Sequence, residues 1–427
     1  MKVLVIGSGG REHAICEAFS SDSKVQKIFC ILGNAGISTV AECVAIKPED
    51  ISSIAEFAEK NGIEITFVGG EGPLAAGIVD EFSGRGLPIV GPSKSAARLE
   101  TSKVFAKDFM KKYGIPTAEY FAANSTAEAI KCVRSKEQWK DSAGIVVKAD
   151  GLAAGKGVVV TSNQQEAEIA INTLEKIAGS EASRRIVLEE RLEGKELSLL
   201  LFTDGDSYSL MPPARDHKRL KDADCGPNTG GMGTITDSSL IDEPTLKVIE
   251  EKIVKRTLEG AKNEGLDYKG ILFIGLMLTK DGPKVLEYNV RFGDPETQSI
   301  LVRLDTSLLE ISKAILDKSL SKLSIDWKQG SSATVILAAE GYPQNPRKGD
   351  KIEGLEAANR LDGINIFHSG TAFDESGNFI TAGGRVLGVT ACGENLDEAL
   401  ARAYGAAHLI NWPGMQMRND IGRATAG

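Results

Sequence analysis

The sequence predicts a three-domain protein of the α/β and α+β classes. We expect an N-terminal parallel-sheet domain over residues 1–101, a larger central domain over 102–318 and a small C-terminal α+β domain over 325–427. The length of 427 residues corresponds to about three domains of ~150 residues. Strand-like and helix-like stretches alternate through the first hundred residues, whereas β-rich runs with one helix follow Trp327. Hydrophobic residues make up 42% of the chain, which excludes general disorder and is enough to bury a core in each domain.

In the N-terminal domain, short apolar runs predict strands and amphipathic stretches between them predict helices. The strands are Val3–Ile6, Ile28–Leu32, Ile65–Val68 and Ile89–Val90. The helices are Glu12–Phe19, Ile51–Glu59 and Leu74–Phe82. Such a succession of βαβ units predicts a parallel sheet.

The two later domains carry longer elements. We expect helices at Ser102–Tyr113, Glu243–Glu264 and Leu396–Ile410, and strands at Lys195–Thr203, Tyr208–Met211, Ala333–Ala339 and Arg385–Thr390. No internal repeat, low-complexity tract or long linker is evident in the sequence.

The overall charge argues against nucleic-acid and membrane partners. Lys and Arg total 50 against 59 Asp and Glu, so the formal net charge is −9.

The six cysteines are far apart and form no C-x-x-C pair, which favours a reduced, cytoplasmic protein without zinc or disulfides. The N-terminal MKVLVIGSGG is no signal peptide, and the longest apolar stretch, near Gly270–Leu278, is far shorter than the ~18 residues of a membrane span. A monomer is our default expectation.

A glycine loop follows the first strand. Gly7–His13 opens a helix, so its backbone amides can bind an anion. The dinucleotide fingerprint is incomplete, because Glu12 stands at the third glycine and Gly33–Gly36 follows strand two without the expected acid. This rim suits a small phosphorylated ligand, although tight turns without a ligand would also need these glycines. In the next rim loop, Glu71 is either a hydrogen-bond acceptor for sugar hydroxyls or a solvated acid.

The central domain contains a second glycine-rich loop. Ala149–Gly157 joins the strand Ile145–Lys148 to the β run Val158–Val160. The loop is not a Walker P-loop, because its glycine spacing is one residue short, Gly157 replaces the Ser/Thr and a strand follows instead of a helix. We interpret it as a lid over a triphosphate, with lysines that neutralise phosphate oxygens. The alternative is a structural hairpin, which would need neither of the two lysines, Lys148 and Lys156.

One predicted strand carries a candidate metal site. Glu287, Asn289 and Arg291 share one face because strand side chains alternate. An acid, an amide oxygen and a guanidinium suit Mg²⁺ and a transferring phosphoryl group. An ordinary amphipathic edge strand is the alternative. The apolar side chains expected to pack on the other face are Leu286, Tyr288 and Val290.

Further contacts are expected from the rest of the central domain. The strand Ile186–Leu192 ends in polar residues, as expected where a backbone hinge meets a purine edge, and Glu196 is a candidate for ribose hydroxyls or a surface acid. The segments Asp216–Arg219 and Gly226–Gly233 have no helical or strand periodicity, and so long an irregular region is costly to order without a function. Only His217 of the four histidines lies there, and we expect the others to be structural.

Together these segments resemble the glycinamide ribonucleotide synthetases of the ATP-grasp superfamily. The Asp216–Arg219 and Gly226–Gly233 pair sets this family apart from ATP-grasp carboxylases, and Gly70 is a departure, since the family usually has proline before Glu71. The matching stretches are Val3–His13, Gly33–Gly36, Gly91–Pro92, Ser102–Phe109, Ile115–Tyr120, Val147–Val160, Asp216–Arg219, Gly226–Gly233 and Glu287–Thr297.

The resemblance implies an N-terminal pre-ATP-grasp domain, a central ATP-grasp domain and a ligase of purine biosynthesis. The expected reaction joins glycine to 5-phosphoribosylamine at the expense of ATP, through glycyl phosphate, and gives glycinamide ribonucleotide, ADP and phosphate. ATP is then a co-substrate, and Mg²⁺ or Mn²⁺ the metal. Alternatives are another ATP-grasp ligase or carboxylase using a different carboxylate, a nucleotide-binding sensor and, least favoured, a nicotinamide oxidoreductase.

The resemblance also implies roles for individual residues. Arg291 would be catalytic together with Asp216, Lys218 and Asp294, which line the acceptor site. The metal ligands would be Glu287 and Asn289. The residues expected to bind ATP are Lys103, Lys148, Gly151, Gly155, Lys156, Gly157, Glu189, Glu190, Leu192 and Glu196. Those expected to bind the sugar phosphate and acceptor are Gly9, Arg11, Asn34, Glu71, Asn228, Thr229 and Gly230.

Overall fold

The computed structural model describes residues 1–135, 139, 143–152, 157–180 and 182–423. The first hundred residues form a five-stranded parallel sheet in the order β3-β2-β1-β4-β5. Its strands are β1 (Lys2–Gly7), β2 (Lys27–Leu32), β3 (Glu42–Val44), β4 (Ile65–Val68) and β5 (Ile89–Val90). The helices are α1 (Gly10–Ser20), α2 (Ile51–Asn61), α3 (Glu71–Ala76), α4 (Ile78–Gly84) and α5 (Lys94–Thr101). The predicted parallel sheet is therefore present.

Two details of this part differ from the sequence prediction. Strand β3 was not expected, because it is only three residues long and partly exposed. The predicted helix Leu74–Phe82 is divided between α3 and α4. The break lies at Gly77, whose φ of 99° is left-handed and caps α3.

A four-stranded antiparallel sheet of order β6-β9-β7-β8 follows. Helices on this sheet bury a small apolar core that includes Ile145, Ile171 and Leu188. The elements of this part are α6 (Lys103–Lys112), β6 (Tyr120–Ala123), α7 (Thr126–Ser135), β7 (Ile145–Ala149), β8 (Val158–Thr161), α8 (Gln164–Ala178) and β9 (Ile186–Glu190).

The next stretch supplies the long strands of the central part and one long helical segment. Its strands are β10 (Lys195–Thr203), β11 (Tyr208–Leu210), β12 (Ala214–Asp216), β13 (Arg219–Lys221), β14 (Cys225–Asn228), β15 (Gly233–Thr236), β16 (Gly270–Thr279) and β17 (Gly282–Asn289). Its helices are α9 (Glu243–Ile249), α10 (Lys255–Asn263), α11 (Glu296–Leu301) and α12 (Leu308–Leu316). A π-helical segment, Glu250–Val254, joins α9 to α10, so the helix predicted over Glu243–Glu264 is continuous from Glu243 to Asn263.

The region expected to be irregular is partly ordered. Strands β13 and β14 form a short antiparallel hairpin, and β12 and β15 belong to the large sheet. The hairpin turn places Ala223 and Asp224 at φ of 55° and 49°. Strands of three or four residues are too short to give a readable alternation of polar and apolar side chains, which is why periodicity failed here.

The C-terminal part adds β18 (Ser331–Ala338), α13 (Leu355–Asn359), β19 (Ile364–His368), β20 (Thr371–Phe373), β21 (Phe379–Thr381), β22 (Arg385–Gly393) and α14 (Leu396–Ala407). One nine-stranded sheet runs through the central and C-terminal parts in the order β17-β16-β10-β12-β15-β18-β22-β19, with β11 against β10. The pairing of β15 with β18 carries this sheet across the predicted boundary at residues 318–325. Among the described helices, none combines the length and apolarity that crossing a membrane requires.

Candidate functional site

The candidate metal strand, β17, lies at the edge of the large sheet and contains a bulge. Gly275 of β16 pairs with Glu287, whereas its neighbour Leu276 pairs with Val285, so Leu286 is the extra residue. The bulge shifts the alternation, and Val285 and Tyr288 are both buried. Leu286 is therefore half-buried rather than packed inward, which corrects the expectation for that residue.

The two proposed metal ligands suit a hard cation. Burial alone would raise the pKa of Glu287, but Lys218, Lys148 and Lys103 hold that pKa below its ordinary value. An ionised carboxylate and the Asn289 amide oxygen are the oxygen donors that Mg²⁺ prefers. Within the described residues, no group of three or more His, Cys, Asp or Glu side chains is placed to hold a metal. The strand fits an ion that takes its other ligands from phosphates and water.

Arg291 follows β17 and its guanidinium contacts three side chains. Nη2 donates to Glu100 Oε1 at 2.8 Å and to Asn289 Oδ1 at 3.2 Å. Nε lies 3.3 Å from Glu71 Oε2. Burial works against ionisation of Glu71, but Arg291 and Arg11 hold its pKa below the ordinary value. The structure thus brings Asn289 and Arg291, which the sequence grouped on one strand face, together with Glu71 and Glu100.

Two lysines enclose a buried glutamate on the strand that leads to the hinge. Glu189 Oε1 lies 2.8 Å from Lys148 Nζ and Glu189 Oε2 lies 2.9 Å from Lys107 Nζ. The side chains of Lys107 and Glu189 are each 2% exposed. Burial lowers the pKa of Lys107 to about 8, against the attraction of Glu189. Despite its burial, Glu189 has a lowered pKa because of both lysines.

Lys148 of β7 and Lys103 of α6 each donate to a backbone carbonyl elsewhere in the chain. Lys148 Nζ donates to the carbonyl of the bulged Leu286 at 3.3 Å. Lys103 Nζ donates to the carbonyl of Gly151 at 3.2 Å. Burial lowers the pKa of Lys103, with Glu287 acting in the opposite direction. Gly157 accepts a backbone hydrogen bond from Ala149 at 2.8 Å. Gly155 and Lys156 lie outside the described residues.

The other predicted nucleotide contacts lie further along the chain. Glu190 ends β9, and its Oε1 accepts from Lys284 Nζ at 3.0 Å. Leu192 is half-buried. Glu196 Oε2 lies 3.6 Å from Lys218 Nζ, and both side chains are about half exposed, at 49% and 46%. Glu196 raises the pKa of Lys218, with burial acting against it.

A half-buried carboxylate, Asp216, and a buried one, Glu296, lie near Lys218. Asp216 ends β12 and Glu296 begins α11. Burial and the neighbouring Glu296 raise the pKa of Asp216 well above its ordinary value. Burial also raises the pKa of Glu296, whose Oε1 accepts from Ser198 Oγ at 3.1 Å. Two acids with raised pKa values form a site that a cation would stabilise in its ionised form.

Asp294 lies where the central and C-terminal parts meet. Its Oδ1 accepts from Gln298 Nε2 at 2.9 Å, and its Oδ2 lies 3.3 Å from Arg385 Nη2. Arg385 and Arg11 lower the pKa of Asp294 although burial opposes them. Gly9 is close, because a Cβ at that position would be 3.3 Å from Asp294 Oδ2.

The loop after β14 is fixed by contacts on both sides. Asn228 is exposed at the end of β14, and Thr229 donates through its hydroxyl to the carbonyl of Lys218 at 2.9 Å. Gly230 donates through its amide to Tyr342 Oη at 3.0 Å, and its carbonyl accepts from Arg385 Nη1 at 2.6 Å. Residues of the C-terminal part therefore hold this loop against the acceptor region.

The glycine loop after β1 contacts the segment that follows β17. Arg11 donates through Nη1 to the carbonyl of Phe292 at 2.9 Å and through Nε to Glu12 at 2.7 Å. Glu12 is buried and accepts from the Gly9 amide at 2.6 Å, so the residue that breaks the dinucleotide fingerprint fixes the glycine loop. The Asn34 side chain is used internally, since Nδ2 donates to the carbonyls of Ser8 and His368, both at 2.8 Å.

His217 is structural in this arrangement. Its ring is buried, with Nδ1 3.1 Å from the Gly233 carbonyl and Nε2 accepting from the Gly422 amide at 3.1 Å. Burial lowers the pKa of His217 to about 4. The ring therefore stays neutral near pH 7 and joins β15 to the end of the chain.

Sequence reasoning missed several residues of this region. Glu100 and Lys107 lie on the buried faces of α5 and α6, among apolar residues at helical spacing. A charged side chain on the apolar face of an amphipathic helix is the signal that could have found them. Arg385 carries no such local signal, because its partners Gly230 and Asp294 are far away in the sequence.

Three family models match the chain, and they are described as domains of phosphoribosylglycinamide synthetase. The N domain matches residues 1–100, the ATP-grasp (A) domain 101–297 and the C domain 332–424. The curated phosphoribosylamine–glycine ligase of Caldanaerobacter subterraneus subsp. tengcongensis is 47% identical over 422 residues, which is 99% of either protein. The trifunctional purine biosynthetic protein adenosine-3 of Gallus gallus is 46% identical over 99% of this chain and 42% of its own length.

Two solved structures share the architecture. The phosphoribosylamine–glycine ligase of Thermotoga maritima superimposes with a TM-score of 0.83 at 35% identity, covering 98% of this chain and 100% of that one. The biotin carboxylase domain of the Hydrogenobacter thermophilus 2-oxoglutarate carboxylase, solved with MgADP and bicarbonate, gives a TM-score of 0.71 at 18% identity, over 97% of this chain and 91% of that one. At that identity the second similarity concerns the fold alone.

Proposed function

The chain belongs to the phosphoribosylglycinamide synthetase family, and from that premise we propose that it joins glycine to 5-phosphoribosylamine at the expense of ATP. The products are glycinamide ribonucleotide, ADP and phosphate. The fold class and ligase activity expected from the sequence are confirmed by the family matches and by the full-length relatives. The carboxylase alternative has less support, since the biotin carboxylase similarity is one of fold.

One structural observation carries the assignment of the reacting centre. At the end of β17, an ionised carboxylate, an amide oxygen and a guanidinium come together, and Lys218 joins them electrostatically to the Asp216–Glu296 pair. Phosphoryl transfer asks mainly for positioning and for neutralisation of charge. This arrangement supplies positioning and charge neutralisation beside two acids that suit the ammonium group of a small substrate.

We assign the phosphate end of the nucleotide to the lysines and to β17. Lys103 and Lys148 neutralise phosphate oxygens, and Lys156 is proposed to do so from the glycine-rich loop with Gly151, Gly155 and Gly157. Glu287 and Asn289 would hold Mg²⁺ or Mn²⁺, which would supply charge neutralisation and Lewis-acid polarisation for phosphoryl transfer.

The adenosine end is proposed to meet the strand that ends at the hinge. Backbone groups at Glu190 and Leu192 would face the purine, and Glu196 would reach the ribose hydroxyls. Glu189 would act indirectly, by holding Lys148 in place. Both of its carboxylate oxygens are paired with lysines, at 2.8 and 2.9 Å.

We assign glycine to the acidic pair. Its ammonium group would lie against Asp216 and Glu296, whose pKa values are raised chiefly by burial, so that a bound cation would favour their ionised forms. Lys218, beside the pair, would then direct the glycine carboxylate towards the γ-phosphate. A carboxylate oxygen attacks the γ-phosphorus, the bond from that phosphorus to the bridging oxygen of ADP breaks, and glycyl phosphate forms.

The acceptor sugar is assigned to the N-terminal rim. Gly9, Arg11 and the backbone near Asn34 would bind its phosphate, and Glu71 its ribose hydroxyls, with Asp294 and the loop Asn228–Gly230 on the other side. The 1-amino nitrogen attacks the carbonyl carbon of glycyl phosphate, the carbon–oxygen bond to phosphate breaks, and the nitrogen gives up a proton. Arg291 stabilises the charge that develops during phosphoryl transfer.

The test is ADP release from ATP and Mg²⁺ with glycine, alanine, bicarbonate or no acid. Each mixture is assayed with and without phosphoribosylamine generated in situ. We expect release to require glycine and the amine, and mass spectrometry to identify glycinamide ribonucleotide. Release that depends on bicarbonate or alanine would contradict the proposed substrate, and ATP binding without release would favour the sensor.

We also propose a monomeric, cytoplasmic enzyme without nucleic-acid or membrane partners, in keeping with its net charge of −9. Light scattering coupled to size exclusion is expected to give a mass near 45.5 kDa. A mass of twice that value would contradict the monomer.

A further inference from the structure

Glu100 is a buried carboxylate that contacts Arg291. It lies near the end of α5, and its side chain is 6% exposed. Both of its oxygens are used, since Oε1 accepts from Arg291 Nη2 and Oε2 from the Val290 amide, each at 2.8 Å. One carboxylate therefore fixes a guanidinium and the backbone immediately before it.

The second acid on Arg291 holds it less firmly. Glu71 contributes one oxygen at 3.3 Å from Arg291 Nε, and its side chain is 32% exposed. The contact of Glu100 with Arg291 is shorter than that of Glu71, the Glu100 side chain is more deeply buried, and its second oxygen accepts from the Val290 amide. Of the two carboxylates, Glu100 is the one built to keep the guanidinium in one place, whereas Glu71 is accessible to a ligand.

Two further contacts orient the Arg291 guanidinium. Arg291 Nη1 also donates to the carbonyl of Phe292 at 3.1 Å, and Nη2 reaches Asn289 Oδ1 at 3.2 Å. The guanidinium is thus oriented by Glu100 on one side and by a proposed metal ligand on the other. A preorganised donor of this kind stabilises a transition state because it needs no reorganisation during the reaction.

We propose that Glu100 is a positioning residue that holds Arg291 for phosphoryl transfer to glycine. The inference rests on the proposed function and concerns the same site. Glu100 acts through Arg291 rather than on a substrate, because its buried carboxylate uses one oxygen for the Arg291 guanidinium and the other for the Val290 amide. Burial raises the pKa of Glu100 and Arg291 opposes this, in keeping with a carboxylate whose ionised form depends on the guanidinium.

The experiment is a double-mutant cycle on kcat for ADP formation with glycine and phosphoribosylamine. The variants are Glu100→Gln, Arg291→Met and the two together. Glutamine keeps an oxygen for the Val290 amide but removes the charge that holds Arg291. Because a misplacement of ~1 Å can cost about 100-fold in rate, we expect Glu100→Gln to lower kcat by about ten- to 100-fold and to leave the KM for ATP within about threefold.

In the Arg291→Met background, we expect Glu100→Gln to lower kcat by less than about twofold further. If the fold losses in kcat of the two single variants multiplied in the double variant, Glu100 would act independently of Arg291 and the proposal would be overturned. An unchanged kcat for Glu100→Gln would overturn it as well. If Glu100→Gln yields too little folded protein, Glu100→Asp serves instead, with the same cycle and an expected kcat between wild type and Arg291→Met.

The matched control is Glu81→Gln, which breaks a carboxylate–guanidinium pair with Arg85, 2.6 Å long, on the surface of the same domain. It is expected to keep the wild-type kcat. Failure of the proposed function is distinguishable, because the wild type would then release no ADP with glycine and the amine.

Discussion

Lys148 Nζ lies 3.3 Å from the carbonyl oxygen of Leu286, the residue that the bulge in β17 leaves without a partner. The strand before the glycine-rich loop is thereby tied to the strand with the proposed metal ligands. This contact brings a phosphate-neutralising lysine and the metal strand together across two separate sheets. The bulge is also what allows Glu287 and Asn289 to face the site while Val285 and Tyr288 are both buried.

Replacement of Arg291 by alanine is expected to lower kcat and leave ATP affinity almost unchanged. The guanidinium is assigned to the charge that develops in phosphoryl transfer, and removal of such a donor costs about 10²–10³ in rate. Turnover is measured by ADP release and affinity by calorimetry. Arg85→Ala, on the surface, is the control. Weakened ATP binding with intact turnover would assign Arg291 to ground-state binding instead.

Replacement of Glu287 by alanine is expected to increase the Mg²⁺ concentration needed for half-maximal activity. Loss of an outer-sphere partner already costs about 10–100-fold in metal affinity, so loss of a direct ligand should cost at least tenfold. A Mg²⁺ titration of ADP release at saturating ATP measures this, with the exposed Glu251→Ala as control. An unchanged titration would remove β17 from the metal site.

Lys107→Met should destabilise the fold. It leaves Glu189 buried with one of its two lysine partners, and removal of one partner of a buried pair typically costs about 3–5 kcal/mol. The control is Lys262→Met, whose partner Asp206 lies 2.8 Å away but whose side chain is 70% exposed; it should cost far less unfolding free energy, because exposed ion pairs contribute little to stability. Urea unfolding compares the two. Equal losses of unfolding free energy would contradict the buried network.

His217→Gln tests a source of acid sensitivity. The pKa of His217 falls from 6.5 to about 4 because its ring is buried. Between these values the unfolded chain takes up a proton that the native state does not, so stability is lost as pH falls from 6.5 to 4. The difference between the two pKa values corresponds to roughly 3 kcal/mol of unfolding free energy.

Glutamine does not titrate and can keep both backbone contacts of the ring. Relative to the variant, the wild type should therefore lose roughly 3 kcal/mol of unfolding free energy between pH 7 and pH 4. Urea unfolding at several pH values measures the difference. The pKa of His368 is also lowered, to about 3, but this histidine is present in both proteins and cancels. A difference that is constant with pH would refute the assignment.

Gly231→Ala is expected to impair glycine use. Gly231 has a φ of 110°, and a Cβ there would lie 2.5 Å from Asp216 Oδ1 and 2.5 Å from Pro295 Cδ. Asp216 must move, so the KM for glycine should rise by about tenfold or more, as expected for a shift of ~1 Å in a positioned group. Gly265→Ala is the control, because its φ is 66° and nothing lies within 4 Å. A normal KM for glycine in Gly231→Ala would separate Asp216 from the glycine site.

Much of the N-terminal sheet could be predicted because its strands are short, apolar and separated by amphipathic helices. The alternation of Glu287, Asn289 and Arg291 was likewise visible in the sequence. The bulge at Leu286 was not, because it is set by pairing with β16 rather than by β17 itself.

Long-range contacts were beyond local patterns. Glu100 and Lys107 occupy apolar helix faces, but only the fold brings them to Arg291 and Glu189. The Arg385 contacts with Gly230 and Asp294 join segments that lie 155 and 91 residues apart. The periodicity of a single segment carries no information about such long-range contacts.

The continuity of the large sheet across residues 318–325 has a consequence for fragments of this protein. A polypeptide that stopped before β18 would leave β15 as an open edge, and a separate C-terminal piece would expose the matching edge of β18. Unpaired strand edges are templates for intermolecular association. The three regions that sequence reasoning separates are therefore unsuited to independent expression at that cut, and truncation there should produce aggregates rather than a working half-enzyme.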